Sequence, residues 1–161
     1  MENILKKIYN KKGLCRLLRL ISHLAGIFAF ALFASVFTLT LLSSPLGAIK
    51  LCFILLTSYI LVSLFRKKIN APRPYELYGF YERKPKDKIG VSFPSRHTFL
   101  VFAIATLCFP TLPALSLVLF ALGILLALSR VLLGIHFIRD VVCGAILGII
   151  CSALGLLILF S

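Results

Sequence analysis

Long uncharged apolar runs alternate with short basic segments along the 161 residues. Residues 20–43 carry no Asp, Glu, Lys or Arg. At 1.5 Å per residue such a helix crosses a hydrocarbon core of ~30 Å. Ser43-Ser44-Pro45-Leu46-Gly47 is a turn signal. A second run extends from about Ala48 to Phe65, with Lys50 near its start. A third, shorter run goes from about Ser95 to Phe109 and meets Pro110-Thr111-Leu112-Pro113. The fourth covers about Ala114 to Arg130, and a brief connection, 131–137, contains Gly134. The fifth covers about Ile138 to Phe160, where Gly144 and Gly148 form the small-xxx-small spacing of closely packed membrane helices. The pattern predicts an all-α, polytopic transmembrane helical bundle of about five spans, in one membrane-embedded domain over residues 1–161.

Two segments interrupt that pattern. Residues 1–19 mix Ile4, Ile8, Leu14, Leu17 and Leu18 with lysines and arginines, which predicts an N-terminal basic interfacial segment. The apolar run that follows is too long for the core of a cleaved signal. Residues 66–93 hold eight of the 18 Lys+Arg and three of the five acids, together with three prolines and two glycines. A polar loop of that length without a regular period is uncommon unless it is functional. Tracing the chain puts 1–19, 66–93 and 131–137 on one side of the bundle, with Lys50 alone among the cations near the other.

Composition agrees with a membrane class: 60% of residues are hydrophobic and the mean hydropathy is +1.04. The formal net charge is +13. Because the basic residues flank apolar runs, the expected partners are membrane lipids and an anionic substrate, with no nucleic acid. Cys15, Cys52, Cys108, Cys143 and Cys151 form no CxxC pair and read as small hydrophobes.

Charged and imidazole groups near membrane depth are costly and mark candidate sites. Three clusters fall at span ends on the basic side: Arg66-Lys67-Lys68 with Arg73-Pro74, Pro94-Ser95-Arg96-His97, and Ser129-Arg130 with His136 and Asp140. Arg73, Arg130 and one or more of Arg66, Lys67 and Lys68 supply cations suited to phosphate oxygens. Ser95 opens a helix, whose N-terminal N–H groups favour an anion. His136 and Asp140 are four apart on one helical face, so the carboxylate can hold one ring nitrogen as N–H and leave the other to attack. His97 can protonate a leaving alkoxide. The acids Glu76, Glu82 and Asp87 are scattered, so no metal ligand set emerges and metal-independent chemistry, without a cofactor, is expected. His23, with no charged neighbour in sequence, reads as an interfacial residue, and Arg83, Lys84, Lys86, Lys88 and Arg139 as solvated or anchoring charges.

These residues resemble the type-2 phosphatidic acid phosphatase superfamily, which includes membrane lipid phosphatases and vanadium haloperoxidases. The family motifs are K-x6-R-P, P-S-G-H and S-R-x5-H-x3-D. Ser129-Arg130, His136 and Asp140 match the third without change; Pro94-Ser95-Arg96-His97 matches the second except at Arg96; Arg73-Pro74 closes the first, with Arg66 at the lysine position. The match spans a motif core of 66–140. It implies a phosphohistidine on His136, orientation by Asp140, general acid catalysis by His97, and phosphate binding by Arg66 or Lys67, Arg73, Ser95, Arg96 and Arg130. It also implies no metal, and mimicry of the pentavalent transition state by vanadate. Membrane members of the family typically have six spans, so one span is missing here before the first motif.

The function expected is that of a lipid phosphatase in the cell membrane, acting on phosphatidylglycerophosphate, phosphatidic acid or an isoprenoid diphosphate such as undecaprenyl diphosphate. The alternatives are a phosphatase for a soluble ester, a haloperoxidase, and a non-catalytic lipid-phosphate binding or transport protein. The positive-inside rule directs the basic side to the cytoplasm, while the resemblance implies an outward site; both orientations, and the oligomeric state, stay open.

Overall fold

The computed structural model describes residues 2–78 and 89–160. Glu82, Arg83, Lys84, Lys86, Asp87 and Lys88, on which the sequence reading also drew, lie outside the described residues. The described residues form helices α1 (Glu2–Tyr9), α2 (Lys12–Ser43), α3 (Pro45–Ile69), α4 (Pro74–Tyr78), α5 (Arg96–Cys108), α6 (Pro113–Leu132) and α7 (Ile138–Phe160), with no strand among them.

Helices α2, α3, α6 and α7 are long and apolar enough to cross a membrane. Helix α5 has 13 residues, a length of about 20 Å. The five expected spans are therefore four long helices and one short one. The basic N-terminal segment is also divided differently from the sequence expectation. Helix α1 is separate, and α2 already starts at Lys12, so Arg16 and Arg19 ride on its first turns. The 32 residues of α2 make about 48 Å of helix, enough to carry these turns beyond the hydrocarbon.

Local sequence sets the helix ends. Ser44 caps α3, its Oγ accepting the Gly47 N–H at 3.1 Å, and Pro45 fills the first helical position, where no N–H is needed. Asn70 ends α3 in the left-handed region at φ 46°. Pro113 opens α6. On the side away from the basic loops, Lys50 Nζ donates to Leu159 O at the end of α7 and lies 5.3 Å from the centre of the Phe160 ring. This cation at a helix C-terminus accounts for the one Lys on that side.

Helix α5 is the hub of the bundle, in contact with α2, α3, α6 and α7. Thr98, Phe99, Val101, Phe102, Ala103, Ile104, Ala105, Leu107 and Cys108 are all buried, so it is covered around its whole circumference. The outer helices present large apolar side chains outward instead, among them Ile27, Phe53, Leu61, Leu125 and Ile158. Lipid, not water, is the environment that suits such a surface. Cys15 and Cys108 are buried, Cys143 and Cys151 half-buried, and Cys52 exposed on this apolar surface.

The contact between α5 and α7 is backbone on backbone. A Cβ at Gly144 would lie 2.6 Å from Ser95 O, and one at Gly148 would lie 2.5 Å from Phe99 O. The glycine pair read from the sequence is thus what lets α7 approach the start of α5, and it sets the distance between the residues each helix carries. Gly144→Ala is expected to lower stability by about 1–3 kcal/mol, the usual cost of forcing extra volume into a packed contact. Gly26→Ala, with nothing within 4 Å of the added carbon, is expected to be neutral. Thermal unfolding of the two variants in detergent checks this; equal midpoints would refute the close-approach account.

Candidate active site

All three clusters converge at one end of the bundle. The end of α3 and the segment to Tyr78 supply Arg66, Lys67 and Arg73; the start of α5 supplies Ser95, Arg96 and His97; the end of α6, the connection after it and the start of α7 supply Arg130, His136 and Asp140. Backbone bonds tie the segments together. Ser92 N–H donates to Ala71 O at 2.8 Å, Tyr75 N–H to Gly134 O at 3.3 Å, and Ser95 N–H to Asp140 O at 2.9 Å. The left-handed Gly90, φ 63°, closes the loop, and a Cβ there would meet Asn70 Oδ1 at 2.3 Å. Its N–H donates to Glu76 Oε1 at 2.8 Å. Glu76, read from sequence as one of three scattered acids, is thus a loop fastener.

Asp140 is fully buried, and its Oδ2 collects donors from two directions. Phe137 N–H donates to it at 3.0 Å. Because Phe137 precedes the first residue of α7, this is the reach-back bond of a capping box, made by an acid at the third helical position. Ser92 Oγ donates to the same oxygen at 2.5 Å and lies 3.2 Å from His136 Nδ1. The direct Nδ1–Oδ2 separation is 3.5 Å, long for a hydrogen bond. Ser92 therefore bridges the pair that the i, i+4 spacing places on one face. With its proton committed to Asp140, Ser92 Oγ can only accept from the ring, so Nδ1 carries the hydrogen and Nε2 keeps its lone pair. Burial pushes the His136 imidazole down to about 4, the charges of Arg73 and Arg66 add to this, and the Asp140 side opposes it. At neutral pH the ring is uncharged.

The cations sit around this centre. Arg66 is buried and its Nη1 donates to Pro94 O at 2.9 Å. Arg73 is buried, its Nε donating to Gly90 O at 3.0 Å and its guanidinium lying 5.8 Å from the centre of the Tyr75 ring. Each bond uses one of five guanidinium N–H donors. Arg66 is within electrostatic reach of Arg73, Arg96 and Asp140, and Arg130 of Arg73. Arg130 Nε is buried without a hydrogen-bond partner among the described residues. His97 is exposed at the start of α5 and lies within electrostatic reach of Arg130, His136, Arg96 and Arg66. Both imidazoles are thus on one side and in one cluster. Ser95 is fully buried and accepts from Thr98 Oγ1 at 3.1 Å. The helical ladder of α5 begins with Phe99 N–H donating to Ser95 O, which leaves the preceding N–H groups of its first turn outside the ladder.

Two of the sequence-selected cations face elsewhere. Lys67 is exposed, so at the Arg66/Lys67 alternative it is Arg66 that turns inward. Arg96 Nη1 donates to Tyr59 OH at 3.2 Å, with its guanidinium 5.8 Å from the centre of the Tyr59 ring, toward α3. Arg139, read as an anchor, is 68% exposed, with Nε 3.6 Å from Asp140 Oδ1. Ser92 was missed by the sequence reading. A short hydroxyl side chain in an aperiodic loop gives no signal until the fold brings it beside Asp140. Among the described residues no three His, Cys, Asp or Glu side chains gather in a metal-binding group.

A membrane helical bundle with a buried imidazole–hydroxyl–carboxylate relay among arginines defines a class of phosphate-handling membrane protein, and the comparisons place it within a family. The family model of the PAP2 superfamily matches residues 47–160, and the chain belongs to that superfamily. No curated protein matches. The structure is similar to that of a transmembrane PAP2-type phosphatidylglycerolphosphate phosphatase from Bacillus subtilis, at TM-score 0.74 and 20% identity over 96% of this chain and 81% of that one. It is also similar to LpxE of Aquifex aeolicus, at TM-score 0.62 and 25% identity over 88% of this chain and 93% of that one. The chain is an integral membrane protein with the fold of membrane PAP2 phosphatases.

The relay makes a prediction that needs no substrate. Nitrogen NMR of the histidine rings in detergent is expected to show His136 neutral at pH 7, with hydrogen on Nδ1. A charged ring at pH 7, or hydrogen on Nε2, would show that Ser92 and Asp140 do not set the tautomer.

Proposed function

We propose that this protein is a lipid phosphate phosphatase of the cell membrane, working through a phosphohistidine on His136 without a metal ion. The observation that carries the reading is the buried His136, linked through Ser92 to Asp140, among arginines of which one, Arg130, has a buried Nε without a partner among the described residues. An unpaired buried donor is costly, and a phosphoryl oxygen is the acceptor that suits it. Nε2 of His136 attacks phosphorus as the bond to the leaving oxygen breaks, and His97 gives that oxygen its proton. Water then attacks the phosphohistidine, His97 takes the proton back, and inorganic phosphate leaves with His136 restored. Arg66, Arg73, Arg130 and the first turn of α5 at Ser95 stabilise the oxygens of the transferring group. Asp140, through Ser92, holds the ring and balances the charge that develops on it.

The apolar outer surface and the site at a span end favour a substrate with a lipid tail. Candidates are phosphatidylglycerophosphate, the substrate class named for the Bacillus relative, phosphatidic acid, and an undecaprenyl-type diphosphate.

Purified protein in detergent with EDTA, offered lipid phosphates and soluble phosphate esters, is expected to release phosphate from the lipids and to be inhibited by vanadate. His136→Ala is expected to abolish release. Asp140→Asn is expected to lower kcat on the order of 1,000–10,000-fold, as in other orienting carboxylates. Activity lost in EDTA and restored by a divalent ion, or retained in His136→Ala, would overturn the mechanism; release from soluble esters only would overturn the substrate class.

The pH profile gives a second test. Attack needs His136 unprotonated, and its imidazole is depressed to about 4. The acidic limb of kcat/KM, which reports the free enzyme, is therefore expected near pH 4 and not at the ordinary histidine value of about 6.5. A limb at 6.5 assigned to His136 by loss in a variant would contradict the buried, neutral nucleophile.

A further inference from the structure

Beside the reaction centre lies a second cationic groove. It has a volume of about 370 Å³ and is lined by Tyr59, Ser63, Arg66, Lys67, Val91 and Arg96, with Ile60 and Leu64. Arg66 is shared: it lines the groove and is in electrostatic reach of Asp140 and Arg73. The groove therefore adjoins the place where phosphorus would sit. Arg96 is held in it by Tyr59 OH at 3.2 Å and by the face of the Tyr59 ring. The Oγ of Ser63, also on the wall, is buried with no hydrogen-bond partner among the described residues. Three cations and a spare hydroxyl in one groove are the features of an anion site. Of these, Arg96 and Lys67 come in addition to Arg66, Arg73 and Arg130 around the reaction centre.

The groove has a direction. Tyr59 also lines an adjoining groove of about 490 Å³ formed by Phe30, Phe33, Cys52, Leu55, Leu56 and Leu100, which is almost wholly apolar. Along α3 the order is apolar groove, Tyr59, cationic groove, Arg66, reaction centre. A lipid laid along this track has its tail against α2 and α3 and its cleaved phosphate at His136. Whatever sits between, against Arg96 and Lys67, belongs to the leaving group.

Resting on the phosphatase reading above, we propose that Arg96, Lys67 and Ser63 form a subsite for a second phosphate carried on the tail side of the cleaved one. The preferred substrates then bear two phosphates. One source is a lipid diphosphate, whose leaving group is the lipid monophosphate. The other is a lipid with an internal phosphodiester and a terminal phosphomonoester, whose leaving group is the alcohol. In both, the P–O bond to the leaving oxygen breaks as the N–P bond to His136 forms, His97 protonates that oxygen, and the retained phosphate stays on Arg96. Tyr59 acts as a positioning residue for Arg96.

The test is initial phosphate release from two tail-matched pairs in detergent: farnesyl phosphate against farnesyl diphosphate, and phosphatidic acid against phosphatidylglycerophosphate. Wild type is expected to favour the second member of at least one pair by about tenfold or more in kcat/KM, and the pair concerned identifies the source of the second phosphate. Arg96→Gln is expected to erase about tenfold of that preference, chiefly through KM. Arg96→Lys is expected to keep part of it, and Tyr59→Phe to lose a few-fold. No preference in wild type, or an Arg96→Gln loss equal on both members of a pair, would overturn the subsite while leaving the phosphatase intact. No release by wild type from any of the four lipids would instead overturn the phosphatase reading on which the subsite rests.

Discussion

The site is organised by one buried carboxylate. Asp140 sits at 0% exposure, where an ionised group is stable only if donors and cations replace its water. Oδ2 receives two donors, the Phe137 N–H of its own helix start and the Ser92 hydroxyl from the 89–95 loop, the latter also 3.2 Å from the His136 ring, while Oδ1 has no hydrogen-bond partner among the described residues. Its backbone carbonyl takes the Ser95 N–H as well. One residue thus caps α7, pins the loop, registers α7 against α5 and, through Ser92, sets the tautomer of the imidazole. A substitution there disturbs folding and chemistry together, because the same donors serve both.

Around this acid the cluster gathers Arg66, Arg73, Arg96 and Arg130, and their charges act on one another. Like charges brought together are destabilising unless something negative is placed among them. Asp140 offsets only part of the excess. The protein therefore holds its arginines by neutral acceptors, Pro94 O, Gly90 O and Tyr59 OH, which fix geometry without cancelling charge. Among the described residues that leaves the cluster with an unmet preference for an anion, strongest at Arg130, whose Nε has no acceptor among them.

Much of this was legible in the sequence, and the reasons are specific. Apolar run length gave the long helices, and the Ser44-Pro45 and Pro113 signals gave their starts, because helix ends are local problems. The i, i+4 spacing gave the shared face of His136 and Asp140, and Gly144 with Gly148 gave a close helix approach, though not its partner α5. What escaped depended on contacts between distant segments. Ser92 joins the relay only because Ala71 and Asp140 hold the loop in place from either side. The inward turn of Arg66, the outward position of Lys67 and the departure of Arg96 toward Tyr59 are rotational choices of side chains at span ends, where sequence gives charge but not direction. The third run was legible as a short span, but hydropathy does not reveal that α5 is surrounded by the other helices.

That shortness has a consequence for depth. Arg96, the first residue of α5, is bonded to Tyr59, and Tyr59 lies ten residues before the end of α3 at Ile69. Ten residues of helix are about 15 Å. The side chain of Arg96 thus reaches down along α3 while Pro94 meets it higher up, at Arg66, and the irregular segment from Ile89 to Ser95 takes the place of further helical turns. Irregular backbone at such a level survives only where neighbouring polypeptide, and not acyl chain, satisfies its amides; Ala71, Asn70, Glu76 and Arg66 do so here. Any group that reaches the buried His136 exchanges hydration for the fixed dipoles and charges of these segments.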